Sequence, residues 1–364
     1  MPSAARPVRD TIPEMASVNE ARPAARGYAD AVALPLDVVR AGVLRLLGRP
    51  GRVLLSDRSA RVATYAAVGL LASLLLASFA PVWTFALGPI ILGVPHLLAD
   101  VRYLVVRPGL HRRTALAVSV AAPLVIGTFE QSAAIGLSAG LGAIAFARAS
   151  LRRKGVLLAA WVLVVLAAAK HDYEALLVVV HLHNFVAVAL FVAAFARSRR
   201  VGIAAAIASI AMSAALVGGA LDDVLFRFTA RATGPATAAD LACMMDTLAP
   251  VTDPILALRL TTLFVFMQGV HYVLWLRVIP DEARERPGIR SFASSIRALE
   301  RDLGKGLLLL FALGTLAVAA RATTSLEAAR LLYLRGASFH AWLEIAFALL
   351  LVAEGRAALL RNPR

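Results

Sequence analysis

The chain has 364 residues, 60% of them hydrophobic, with a formal net charge of +15 and a mean hydropathy of +0.75. That composition excludes a soluble domain. The charge does not point to nucleic acid either, because the basic residues fall in short connections between apolar runs. A lone cysteine, Cys243, excludes an intrachain disulfide and a cysteine-rich metal site.

Residues 1–60 read as a polar tail rich in Ala, Arg and Pro, with no cleavable signal peptide. Inside it, DVVRAGVLRLL (Asp37 to Leu47) alternates apolar and basic positions at helical spacing. This predicts an amphipathic helix lying on a membrane surface.

Residues 61–360 read as a single transmembrane domain. Ten apolar segments lie near 62–80, 84–105, 114–129, 131–149, 155–169, 174–196, 201–221, 255–278, 305–320 and 336–353. A span needs roughly 17–25 residues, and these runs are continuous rather than alternating, which selects helices over a barrel. The expected fold is an all-α, polytopic transmembrane bundle. Segments three and four are short and read as a tight hairpin or a partly re-entrant pair.

Connections after the even-numbered segments are basic: Arg107, Arg112 and Arg113; Arg148, Arg152, Arg153 and Lys154; Arg197, Arg199 and Arg200; then Arg277 through Arg301. The positive-inside rule then puts both termini in the cytoplasm of an integral membrane protein, with a bacterial inner membrane as the expected location. Two connections are long. The one near 279–304 carries Pro280, Pro287 and SIRALERDLGK, read as a cytoplasmic surface helix. The one near 222–254 is read as an outer lid or rim, in which Cys243, Met244 and Met245 form a packing patch.

Histidines inside apolar segments carry the chemistry. An ionisable ring in lipid marks a functional site by default. Segment two reads GPIILGVPHLLADVRYLVVRP: Pro95 should kink the helix, and Asp100 follows His96 by four residues, on one face. Segment six reads LLVVVHLHNFVAVALF. His181 and His183 stand roughly 200° apart on a helix and cannot both face one centre. His181 is the preferred ligand, with Asn184 beside it and His183 as a supporting or inter-helix group. In segment eight Gln268, His271 and Trp275 share a face. In segment ten His340 and Glu344 repeat the His96/Asp100 spacing. His340 lies near the outer surface if that helix starts at Gly336, and at mid-depth if it starts at Ser325.

Nitrogen ligands with carboxylate support suit iron, copper or zinc. Asp100 and Glu344 then orient the imidazoles. Tyr272, Phe185, Phe339 and Trp342 lie close by and offer a lining for a flat apolar substrate, together with His183, Asn184, Gln268 and Trp275. Three other readings use the same residues: a haem pair of axial histidines, a histidine/acid proton relay in a transporter, and polar contacts that merely join helices.

GVPHLLAD at 93–100 resembles the G-x-P-H-x-x-x-D motif of the Brp/Blh family, the bacterial membrane β-carotene 15,15′-dioxygenases that make retinal. The ordered patches VVVHLHNF, FVFMQGVHYVLW and HAWLE resemble the family's later histidine segments. The resemblance covers four short patches. It implies an iron held by His96, His181, His271 and His340, with an apolar lipid or polyene substrate drawn from the bilayer. Leu97-Leu98 replaces the family's small Gly-Ala pair, no acid closely follows the second histidine, and Trp275 stands where the family repeats a histidine. These departures imply a different substrate on a shared metal site.

Overall fold

The computed structural model describes residues 28–225 and 235–360. The polar tail expected before residue 28 lies outside them, as does 226–234 of the expected outer loop. Among the described residues all regular structure is helical. In chain order the elements are α1 (Tyr28–Leu46), α2 (Arg49–Ser56), α3 (Arg58–Phe79), α4 (Pro81–Val106), α5 (Thr114–Glu130), α6 (Ala133–Ala145), α7 (Leu151–Lys170), α8 (Asp172–Phe195), α9 (Arg199–Val217), α10 (Pro235–Leu248), α11 (Pro254–Glu282), α12 (Phe292–Ala322) and α13 (Leu326–Glu354).

The chain writes its own helix starts. Asp57 accepts from the Ser59 and Ala60 amides at α3, and Asp253 does the same for Ile255 and Leu256 at α11. Ser150, Ser198, Ser291 and Ser325 cap α7, α9, α12 and α13. Seven helices (α3, α4, α8, α9, α11, α12 and α13) are long and apolar enough to cross a membrane. α5 and α6 are shorter and pair as a hairpin around Gln131, which takes a left-handed φ of 54°.

Two boundaries differ from the sequence reading. The expected surface helix SIRALERDLGK and the span near 305–320 are one 31-residue element, α12, bent at Gly304 where φ is +77°. A glycine tolerates that bend where a Cβ would not. The last span begins at Leu326 behind its Ser325 cap, as the earlier of the two expected starts had it and not near 336, so His340 falls in mid-helix. The predicted amphipathic run lies within α1. Asp37 there accepts from the Phe292 amide and tethers α1 to α12, while Val38, Val39, Val43 and Leu46 stay exposed.

Burial sorts the bundle. Of the apolar stretch of α11, 72% is buried, and of α13 61%, against 6% for α12. α11 and α13 are therefore central, and α4 and α8 pack beside them. Guanidinium–carboxylate pairs tie one end of the bundle together. Arg61, fully buried, holds Asp281 at 2.5 Å. Arg102 and Arg107 share Asp302 at 2.6 and 3.2 Å. Arg113 holds Glu354 at 2.7 Å. Arg284 also pairs with Asp281; burial and the neighbouring cations Arg61 and Arg58 push its pKa down to about 10.

Candidate metal centre

Four imidazoles from four helices converge in the bundle interior. His96 comes from α4, His183 from α8, His271 from α11 and His340 from α13. Ring centroids are separated by 4.7 Å (His96–His340), 5.2 Å (His96–His271 and His183–His271), 5.1 Å (His183–His340) and 5.8 Å (His271–His340). One nitrogen from each of His96, His271 and His340 lies within 4.8 Å of the others.

Local backbone irregularity brings them there. π-helical turns at Pro89–Gly93 and Val101–Val106 bracket His96, and others at Phe191–Phe195 and Leu274–Val278 follow His183 and His271. Wide turns rotate the side chains around them and recur at functional sites. On α4 the cause is legible: Pro89 and Pro95 supply no amide to the helical ladder.

Hydrogen bonds fix two of the rings. The Val179 carbonyl can only accept, so His183 Nδ1 donates to it at 3.1 Å, which leaves Nε2 with its lone pair. His340 Nδ1 donates to the Ala337 carbonyl in the same way. His96 Nδ1 shares a 3.3 Å hydrogen bond with the Tyr333 hydroxyl. His96 Nε2 and both nitrogens of His271 are buried with no hydrogen-bond partner among the described residues.

The choice between His181 and His183 goes the other way from the sequence reading. His181 Nε2 donates to Leu248 O at the end of α10, at 2.8 Å, and its ring abuts Phe264 at 5.4 Å. It does not join the cluster. His183 lies on the buried stripe Val179, His183, Ala187. Apart from its first turn, His181, His183 and Asn184, α8 is apolar on all sides, and Asn184 lies nearer His181 around the helix, so no contrast in the sequence favoured the His183 face.

Two carboxylates complete the centre. Asp100 Oδ2 lies 3.7 Å from His96 Nε2, and Glu344 Oε1 lies 3.4 Å from His271 Nε2. Both acids are fully buried. Trp275 Nε1 donates to Glu344 Oε1 at 2.7 Å, while Glu344 Oε2 and both Asp100 oxygens have no partner among the described residues. Leaving several buried acceptors and ring nitrogens unpaired is costly, and a bound cation satisfies them together. The donor set thus fits a metal ion.

The other expected residues separate into those at the site and those beside it. Tyr272 packs on His96 with centroids 5.0 Å apart. Gln268 is buried one turn before His271. Asn184 is buried, its amide donating to Val180 O at 3.3 Å and its Oδ1 unpaired. Phe185 is half-buried against the core. Trp342 packs with its ring against Gly136 of α6, where a Cβ would overlap it. Tyr333 was missed. It sits seven residues before His340, on the same face of α13, and packs against Gly93 of α4 where any larger residue would collide. The spacing was readable, but a helix starting near 336 cut it off.

A cleft of about 380 Å³ runs along α4, α5 and α13, and none of the clustered histidines or carboxylates is part of its lining. Leu104 of α4, Leu116 and Leu124 of α5, and Phe339, Leu343 and Phe347 of α13 line it. Leu343 and Phe347 stand three and seven residues after His340, so the cleft continues the face that carries the ligand. The chain matches no family profile, no curated protein and no solved structure.

Proposed function

We propose that this protein is a membrane-embedded non-haem iron oxygenase acting on a carotenoid or another apolar lipid. His96, His183, His271 and His340 hold the metal. The observation that carries the reading is the convergence of those four buried rings, with nitrogens left unpaired, from helices far apart in sequence. The ordered motifs that resemble the Brp/Blh family support it, with His183 in the place first given to His181. Neighbouring oxygen donors favour iron over copper. Rings packed edge to face at 4.7–5.8 Å leave no slot for a flat macrocycle between them, which argues against haem.

Iron bound here supplies dioxygen activation. The chain's own part is placement and exclusion of water. The carbonyls of Val179 and Ala337 hold two imidazoles in one tautomer. Tyr333 orients a third. The apolar cleft, which includes Phe339 and Leu343 beside His340 on α13, would take a lipid-soluble chain from the bilayer, and the burial of the cluster itself would keep water away from it.

The test is iron content and oxygen-dependent polyene bleaching by the detergent-purified protein. His96→Ala and His183→Ala should each abolish both, and His181→Ala should leave iron in place. Equal iron in all three variants would end this reading.

A further inference from the structure

The two carboxylates do not behave as simple orienters of the imidazoles. An orienting carboxylate accepts the imidazole N–H at about 2.7–2.9 Å. The gaps here are 3.7 Å for Asp100–His96 and 3.4 Å for Glu344–His271, and Asp100 makes no hydrogen bond at all among the described residues. The shorter gap instead suits two ligands of one ion: bonds of about 2.1 Å to nitrogen and oxygen that span 3.4 Å enclose about 110°, a tetrahedral angle.

Asp100, His271 and Glu344 each offer a ligand atom, and these three atoms lie within 4.8 Å of one another. The acids come from α4 and α13 and are fully buried. Among the described residues no guanidinium or ammonium is paired with either acid, and the one hydrogen-bond donor to the pair is the neutral Trp275 indole. Two carboxyl groups so placed call for a proton or a cation between them.

We propose that Asp100, His271 and Glu344 form a second cation position beside the four-histidine centre, so that the chain holds two metal ions. His271 is common to both. Both its ring nitrogens are unpaired, so the ring offers one nitrogen to each position once its N–H proton is released to solvent as the second ion binds. Two oxygens and one nitrogen make the second position harder than the first, which suits iron(II), manganese(II) or zinc. The proposal rests on the four-histidine reading only through that shared ring.

The experiment is elemental analysis of the full chain in detergent after anaerobic loading with iron(II) and removal of free metal. The native chain should hold two ions. Asp100→Asn and Glu344→Gln preserve shape and should each hold one. His340→Ala, which damages only the histidine centre, should keep the ion on the carboxylates. Size-exclusion behaviour reports that each variant is folded. One ion in the native chain, unchanged in Asp100→Asn and Glu344→Gln, overturns the second position and leaves the histidine centre standing. Loss of all iron in Asp100→Asn also overturns it, because the acid then serves one shared ion. No iron in the native chain removes both positions.

Discussion

The bundle treats its buried acids in two opposite ways. At the basic end, Asp281, Asp302 and Glu354 each face a guanidinium at 2.5–2.7 Å. In the centre, Asp100 and Glu344 are fully buried, more so than Asp302, and face imidazoles at 3.7 and 3.4 Å. The first arrangement is finished by the protein alone. The second leaves carboxylate oxygens and ring nitrogens unpaired among the described residues, and the proposed cations would complete it. Charge placed to hold helices together and charge placed to bind can thus be told apart by what is left unpaired.

The largest expected effect comes from breaking the finished end. Arg61 also donates to the carbonyls of Leu54 and Pro287, at 2.7 and 2.6 Å. Arg61→Ala would leave Asp281 with only Arg284 and strip both carbonyls. A buried pair broken from one side costs about 3–5 kcal/mol. Thermal unfolding in detergent should show that loss with or without iron. An unchanged melting temperature would mean that the pair does not hold the bundle.

Breaking the unfinished centre should do the reverse: little to the fold, much to the ion. His271→Ala removes the ring shared by both proposed cation positions. Iron affinity should fall by more than about 100-fold, since losing groups outside the ligand set alone typically costs 10–100-fold. Its metal-free stability should drop less than that of Arg61→Ala. Titration of iron(II) into both variants makes the comparison direct.

Asp100→Asn sharpens the contrast because its sign is opposite. Without metal, the native centre carries two buried acids close together with no cation. Neutralising one should stabilise the metal-free protein, by about 1 kcal/mol or more. Iron should then stabilise the variant less than it stabilises the native chain. A metal-free variant that melts below the native protein would mean that Asp100 has a partner in the fold after all.

The same contrast explains what could be read from the sequence. Apolar run length gave the helices, because hydrocarbon demands it. His96 and Asp100, and His340 and Glu344, were readable as pairs because four residues make one turn. The paired ends were visible only as basic connections; their partners Asp281 and Asp302 are hundreds of residues away from Arg61 and Arg102 in the chain, and no local spacing links them. The choice of His183 over His181 depends on the rotation of α8, and rotation leaves little trace where the residues flanking both histidines are apolar on every side. The π-turns around His96 are marked in the sequence only by Pro89 and Pro95, and the one at Leu274–Val278 after His271 contains no proline to mark it.

Tyr333 offers the smallest and most selective perturbation. Its hydroxyl is 3.3 Å from His96 Nδ1 and touches no other ligand ring by hydrogen bond. The ring itself is wedged against Gly93 and is 4% exposed. Tyr333→Phe keeps that wedge and deletes one oxygen. A single hydrogen bond contributes about 1 kcal/mol to stability, so the melting temperature of the metal-free protein should barely move. The orientation of His96 should suffer more, because the Tyr333 hydroxyl is the one side-chain hydrogen-bond partner of that ring among the described residues. Iron affinity should fall by about 10-fold, far less than in His271→Ala, and Tyr333→Leu should lose packing as well as affinity. If Phe at this position binds iron as tightly as Tyr, the hydroxyl has no part in setting the ligand, and the wedge against Gly93 is its whole contribution.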